Sequence, residues 1–337
     1  MPWSGSIPEP AQGGLTPALR ELMDLSRAPL VGGPNQALHR LFDFGGSMEA
    51  TALISRMAAV VMGALCILGS SPATEIQAVA GTRSYLDLPI DASGEPHVLP
   101  YIWERRAGGK HVVVLGTRHS FDPGSPMYPR IEKVFNRVRP QLVLHESEAP
   151  AALKSMPRDQ AIKTGADLGF AVHLARKHGA ATRSADAAPR EEIRALLDKY
   201  SPQDVLVFLT AQRLIGNVRA PNMSSAAAEY PEFFTQYLVR NGFPASVEWK
   251  TWDGFLEAYE NATGQPLSPD TWNRELFSPI KNTGRLSDVA RSTNAVRDQQ
   301  FLTEVRRALR DHDRVVVVFG SWHVLALEPV LEAALTP

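Results

Sequence analysis

Residues 111–119 read HVVVLGTRH, and the interpretation of this stretch decides the fold. A short β-branched run closed by glycine suits a strand buried on both faces. The same grammar returns near the other end of the chain, where residues 315–323 read VVVVFGSWH. Both runs end in Gly-x-x-His, at His119 and His323. A third apolar run, Leu142-Val143-Leu144, leads directly into His145 and Glu146.

The segments between these strands have helical spacing. Over 128–138, Ile131, Val134, Phe135 and Val138 share one face, and Pro140 closes the segment. Over 159–178 a longer helix stops at Gly179. A short segment, 180–184, then reaches Asp186, and 191–199 reads as helix. Residues 201–215 form a further apolar helix carrying Arg213. From about 220 to 285 aromatics crowd together while Pro and Gly interrupt the period, which predicts a helical cap. A helix over 292–309, the strand 315–319 and a helix over 327–334 complete the chain. Strands alternating with helices predict an α/β fold: a mostly parallel sheet flanked by helices, with a helical, aromatic-rich cap insertion.

In such sheets ligands bind beyond the carboxyl ends of the strands. If the three apolar strands lie side by side, His119, Glu146 and His323 converge on one rim. Glycine at each Gly-x-x-His is expected to let the backbone turn sharply. Two imidazoles and one carboxylate form a common divalent-metal set, so Mn, Co or Zn is the expected cofactor. Histidines after strands also serve as hydrogen-bonding loop residues, and no compact zinc signature accompanies these. Asp122 is either a further ligand or a turn residue before Pro123. Asp186 is either catalytic or the N-cap of the following helix. Arg213 and Arg297 sit in helical stretches, where an arginine can clamp an anionic oxygen or simply face solvent. His145 and His173 read as structural. With no G-x-S-x-G, Walker A loop or G-x-G-x-x-G, serine hydrolase and nucleotide-binding readings have no support.

Composition narrows the classes further. A formal net charge of -1 offers no electrostatic reason for nucleic-acid binding. One cysteine among 337 residues excludes a disulfide framework or an iron–sulfur cluster. It is Cys66, within the apolar run 58–68. That run is short for a membrane span but suits the core of a secretory signal, and Ala78-Val79-Ala80 has the A-x-A form of a leader-peptidase site. Residues 1–47 therefore read as a disordered extension, or as sequence upstream of a true start at Met48. Residues 48–80 read as a signal peptide or anchor, with residues 57–68 as a possible membrane tether, and 81–337 as the α/β domain. The expected location is exported, periplasmic or membrane-anchored.

Four pieces in order, VVVLGTRHS (112–120), RPQLVLHES (139–147), TNAVRDQQFLTEVRRAL (293–309) and VVVVFGSWHVLALEPVLEAAL (315–335), resemble the TraB/PrgY/GumN family, to which the TIKI proteases belong. The resemblance covers roughly residues 110–335. It matches His119 and His323 to the family's two histidines, Glu146 to its strand-end glutamate, and Arg297 with Asp298 to its R-[ND] pair. It implies a divalent-metal-dependent, protease-like hydrolase acting on a peptide or small acyl substrate, with erythromycin esterases as distant relatives. The closing turn lacks the glycine that usually follows the family's second histidine, and the 220–285 segment matches no family motif.

The leading expectation is thus an exported metal hydrolase. His119, His323 and Glu146 hold the ion, Glu146 serves as ligand or base, and Arg297 stabilises the oxyanion. Two alternatives stay open: a metal-free esterase-like hydrolase in which Glu146 activates water and a histidine is the acid, and a non-enzymatic ligand-binding or signalling protein using the same cleft.

Overall fold

The computed structural model describes residues 79–215 and 222–334, all of them within the unit Ser71–Pro337. The extension 1–47, the tether 57–68 and all but the last two residues of the leader 48–80 lie outside the described residues. Among the described residues, no helix is long and apolar enough to cross a membrane.

Among the described residues five strands form one sheet: β1 (Tyr101–Ala107), β2 (Lys110–Thr117), β3 (Leu142–His145), β4 (Ala181–Ser184) and β5 (Arg314–Gly320). The spatial order is β1-β2-β5-β3-β4. The last four strands of that order run parallel, and β1 pairs antiparallel with β2. Among the described residues eight α-helices accompany them: α1 (Met127–Val138), α2 (Arg158–His178), α3 (Pro189–Lys199), α4 (Pro202–Arg213), α5 (Met223–Glu232), α6 (Trp252–Thr263), α7 (Arg285–Asp311) and α8 (Ser321–Ala334).

Period-two alternation sorts the strand residues between two faces. Val113, Leu115, Val143, Val316 and Val318 pack against α1 and α2. Val112, Val114, Leu144, Val315, Val317 and Phe319 pack against α7 and α8. Burial on both faces explains why these runs are continuously apolar. The register puts Leu115 beside Val318, and Val318 beside His145. The chain therefore leaves β2, β5 and β3 at nearly one level, and the expected rim exists.

Four differences from the sequence reading have physical causes. The cap is wider than 220–285: one apolar cluster joins α3, α4, α5 and α6 to the start of α7. Helix α4 forces this, because Val205, Leu206, Val207, Phe208 and Leu209 are all buried and need partners around the whole helix. For the same reason α7 starts at Arg285 rather than 292, with Leu286, Val289 and Ala290 seated in the cap. Strand β1 was not anticipated; Gly108 and Gly109, at φ +55° and +79°, make the two-residue hairpin turn that adds it.

The fourth difference concerns the two Gly-x-x-His motifs. They are not twin turns. Helix α8 begins at Ser321, so His323 lies in its first turn, whereas His119 follows β2 without regular structure. Neither Gly116 nor Gly320 has a left-handed φ. Each sits in a tight space instead. A Cβ at Gly116 would stand 3.1 Å from the Ser321 Cα and 3.1 Å from the Tyr101 Cβ, and one at Gly320 would stand 3.2 Å from Glu146 Oε2.

Candidate functional site

Arg297 organises the rim. Only 9% of its side chain is exposed, and it projects from α7 toward the ends of β3, β4 and β5. Nε donates to Asp186 Oδ1 at 2.7 Å, and Nη2 donates to Asp186 Oδ2 at 2.9 Å and to Glu146 Oε1 at 2.6 Å. Nη1 donates to His323 Nε2 at 3.1 Å. The guanidinium carbon lies 5.6 Å from the Phe319 ring centroid. A guanidinium never supplies a lone pair, so Nε2 of His323 must accept and the ring proton sits on Nδ1. That proton points to Asp298 Oδ1, 2.6 Å away, and the Tyr85 hydroxyl donates to Asp298 Oδ2 at 2.9 Å.

Glu146 is held by two donors, since Gly320 N–H reaches Oε2 at 2.8 Å. Burial alone would raise its carboxyl pKa. The positive charge of Arg297, then that of His119, more than offsets burial and holds the carboxyl well below the usual range. Burial likewise works against the charged Arg297, but Glu146 and Asp186 keep its pKa well above the ordinary value.

His119 differs in character. Its side chain is 59% exposed, its Nδ1 lies 2.6 Å from Asp167 Oδ1, and its Nε2 lies 3.9 Å from Glu146 Oε1. The charge of Asp167 and its hydrogen bond, helped by Glu146 and opposed by Arg297 and by the loss of water on the ring's covered side, raise the imidazole pKa to about 9. Asp167 is itself fixed by the Thr117 hydroxyl at 2.5 Å. It owes its position to a break in α2: Ala166, the preceding residue, has φ +49° and ψ -133°, a conformation rarely populated by residues other than glycine.

The structure thus brings together His119, Glu146, Asp186, Arg297, Asp298 and His323. Asp186 is no N-cap, because α3 is preceded by Ala188 and has no side-chain cap. Asp122 sits in an exposed turn and accepts from Gly124 N–H at 2.9 Å. Arg213 lies in the cap and donates to Glu192 Oε1 at 2.9 Å. It is near enough to Arg297 and Asp186 for their charges to act on it. His145 is buried and its Nδ1 faces Ser147 O, and burial lowers its pKa. Asp167, Thr117 and Tyr85 were missed by the sequence reading. A carboxylate within the apolar face of 159–178 was the available signal for Asp167; Tyr85 had none.

Among the described residues, no group of three or more His, Cys, Asp or Glu side chains stands where it could hold a metal ion. His323 has both ring nitrogens engaged, by Asp298 and by Arg297, so it does not fit the expected set of His119, His323 and Glu146 in this arrangement. The other two members do face one another.

No known protein family matches this chain, and no curated protein matches it.

Proposed function

We propose that this protein is a hydrolase of ester or peptide bonds in which His119 is the general acid and Glu146 accepts a proton from the attacking water. The observation that carries the reading is the 3.9 Å gap between His119 Nε2 and Glu146 Oε1. It is too wide for a direct hydrogen bond and about the span that one bridging water fills.

The protons balance across that gap. Water adds its oxygen to the acyl carbon while one of its protons passes to Glu146. The Nε2 proton of His119 passes to the leaving oxygen or nitrogen as its bond to the acyl carbon breaks. The proton on Glu146 then returns to His119, restoring both groups. A pKa of about 9 keeps His119 protonated at neutral pH, as an acid requires. Arg297 has five N–H donors, four of which serve Asp186, Glu146 and His323. This reading gives the fifth, on Nη1, to the developing oxyanion.

A divalent ion (Mn, Co or Zn) is the second reading, favoured by the same gap. Metal–ligand bonds of about 2.0–2.2 Å to an imidazole nitrogen and a carboxylate oxygen span such a separation at an open angle. His119 and Glu146 would hold the ion, which would supply Lewis acidity and an acidified water. The resemblance to the TraB/PrgY/GumN family supports hydrolysis in this metal-dependent form. Export or tethering belongs to either reading and rests on the run 58–68 and on Ala78-Val79-Ala80.

The test uses the full chain with p-nitrophenyl esters and peptide p-nitroanilides, with chelator or with added Mn, Co or Zn. Chelator-resistant turnover that falls about 10²–10⁴-fold in both Glu146→Gln and His119→Ala is expected. Turnover only after metal is added would favour the second reading. Full activity in His119→Ala would end both.

A further inference from the structure

A strap crosses helix α8 before the sheet begins, and one of its side chains reaches Asp298 and His323. Residues 79–88 are tied to α8 along its length. The Arg83 N–H donates to Ala326 O at 2.8 Å, and Arg83 Nη1 donates to Leu325 O at 2.7 Å. The same guanidinium pairs with Glu328 Oε2 at 3.3 Å. Leu88 and the Tyr85 ring are buried with Leu325 and Ala326. Between these anchors Ser84 accepts from Leu86 N–H at 3.1 Å and starts a single 3-10 turn, Tyr85–Asp87. That turn sends Tyr85 between α7 and α8.

At its end the hydroxyl lies 3.1 Å and 2.9 Å from the two oxygens of Asp298 and 2.9 Å from His323 Nδ1. All three side chains are buried. A phenol has one proton, and both carboxylate oxygens are acceptors, so the hydroxyl donates to Asp298. The Nδ1 proton of His323 then lies between Asp298 Oδ1 and the phenol oxygen. Burial, then Asp298, push the Tyr85 phenol pKa well up, so the hydroxyl keeps its proton.

We propose that Tyr85 is a positioning residue: its hydroxyl fixes the Asp298 carboxylate, and through it the His323 ring, so that Nε2 faces Arg297. The chain of contacts then runs from the strap to the site: Tyr85 to Asp298, Asp298 to His323, His323 to Arg297, and Arg297 to Glu146. Without the hydroxyl, Asp298 keeps one side-chain donor and can rotate. His323 then loses its fixed Nδ1 acceptor, and Arg297 loses one of the contacts that aim it at Glu146. Only the consequence for turnover rests on the hydrolase reading; the ring geometry does not.

Tyr85→Phe tests this, because it removes the hydroxyl and leaves the ring packed edge-on against His323, with centroids 5.9 Å apart. The full chain would be labelled with ¹⁵N-histidine and the His323 Nδ1–H resonance followed at one pH. In the parent that resonance should be slow to exchange, with Nε2 showing the shift of an unprotonated nitrogen. In Tyr85→Phe it should broaden or move. Turnover of p-nitrophenyl acetate should fall about tenfold in kcat, the loss of roughly one charge-assisted hydrogen bond, with KM changed less than about twofold. Arg83→Met, which loosens the strap outside the polar chain, should shift the resonance in the same direction by less. It decides the question alone if Tyr85→Phe does not fold. An Nδ1–H resonance identical to the parent's in both variants overturns the proposal whatever the kinetics. A parent that does not turn over the ester counts against the hydrolase reading, and the resonance still decides the role of Tyr85.

Discussion

Asp167 holds His119 by Nδ1 at 2.6 Å, and each partner stands just past an interruption of regular structure: His119 follows the end of β2, and Asp167 follows the non-helical Ala166 within α2. The contact fixes which ring nitrogen is turned toward Glu146. Nδ1 faces the buried carboxylate, so Nε2 faces outward. It also accounts for most of the rise in the imidazole pKa to about 9.

Asp167→Asn should therefore return His119 toward its ordinary pKa of about 6.5. If His119 is the acid, the parent's turnover is present below about pH 9 and lost as pH rises through it. In the variant that alkaline limb should move toward neutrality. A pH–rate profile beside an NMR titration of His119 checks both. Activity that rises through pH 9 would instead make His119 a base.

The same shift links folding to pH. The folded pKa of His119 is raised, so its stabilising contribution is complete below about 6.5 and disappears as pH rises through about 9. The difference in urea midpoint between the parent and His119→Ala should accordingly shrink between those pH values. A constant difference would show that the ring contributes through packing alone.

Arg297 is the site's main structural debt, with the part-buried Glu146 and Asp186 closing around it. Arg297→Met leaves both carboxylates without their cation and should destabilise the fold by about 3–5 kcal/mol. Arg297→Lys keeps the charge but cannot reproduce the two-pronged contact to Asp186, so it should lie between parent and Met. Denaturant unfolding of the three proteins gives the order.

Two carboxylates that were equal candidates in the sequence should separate sharply. Asp186→Asn should cost about 1–3 kcal/mol, because it weakens a buried, charge-assisted contact to Arg297. Asp122→Ala removes one exposed turn hydrogen bond and should leave turnover unchanged, with stability altered by less than about 1 kcal/mol. Thermal unfolding and ester turnover of the pair test the contrast.

The glycines of the two motifs should also behave differently. Gly116→Ala meets backbone at Ser321 and should destabilise by about 1–3 kcal/mol. Gly320→Ala meets the end of a side chain, Glu146 Oε2, which can move. Its expected cost is mainly in turnover, read as a lower kcat in a protein with nearly the parent's unfolding midpoint.

The sequence by itself determined the layers, the parallel strands and the rim. Continuous apolar, valine-rich runs at 112–115 and 315–318 suit strands covered on both faces, and strand ends in such sheets are where polar side chains gather. His119, Glu146 and His323 were legible because each lies within three residues of the end of its strand. Tertiary structure alone decided what these residues do to one another. Arg297 lies 151 residues from Glu146 and 111 from Asp186, and Tyr85 lies 213 from Asp298. No periodicity encodes such pairings. They follow from how α7, α8 and the strap pack on the sheet, and from the rule that a charge buried by that packing must meet its opposite. That is why two motifs that read alike in sequence became an exposed, carboxylate-paired ring at His119 and a locked, hydrogen-bonded ring at His323.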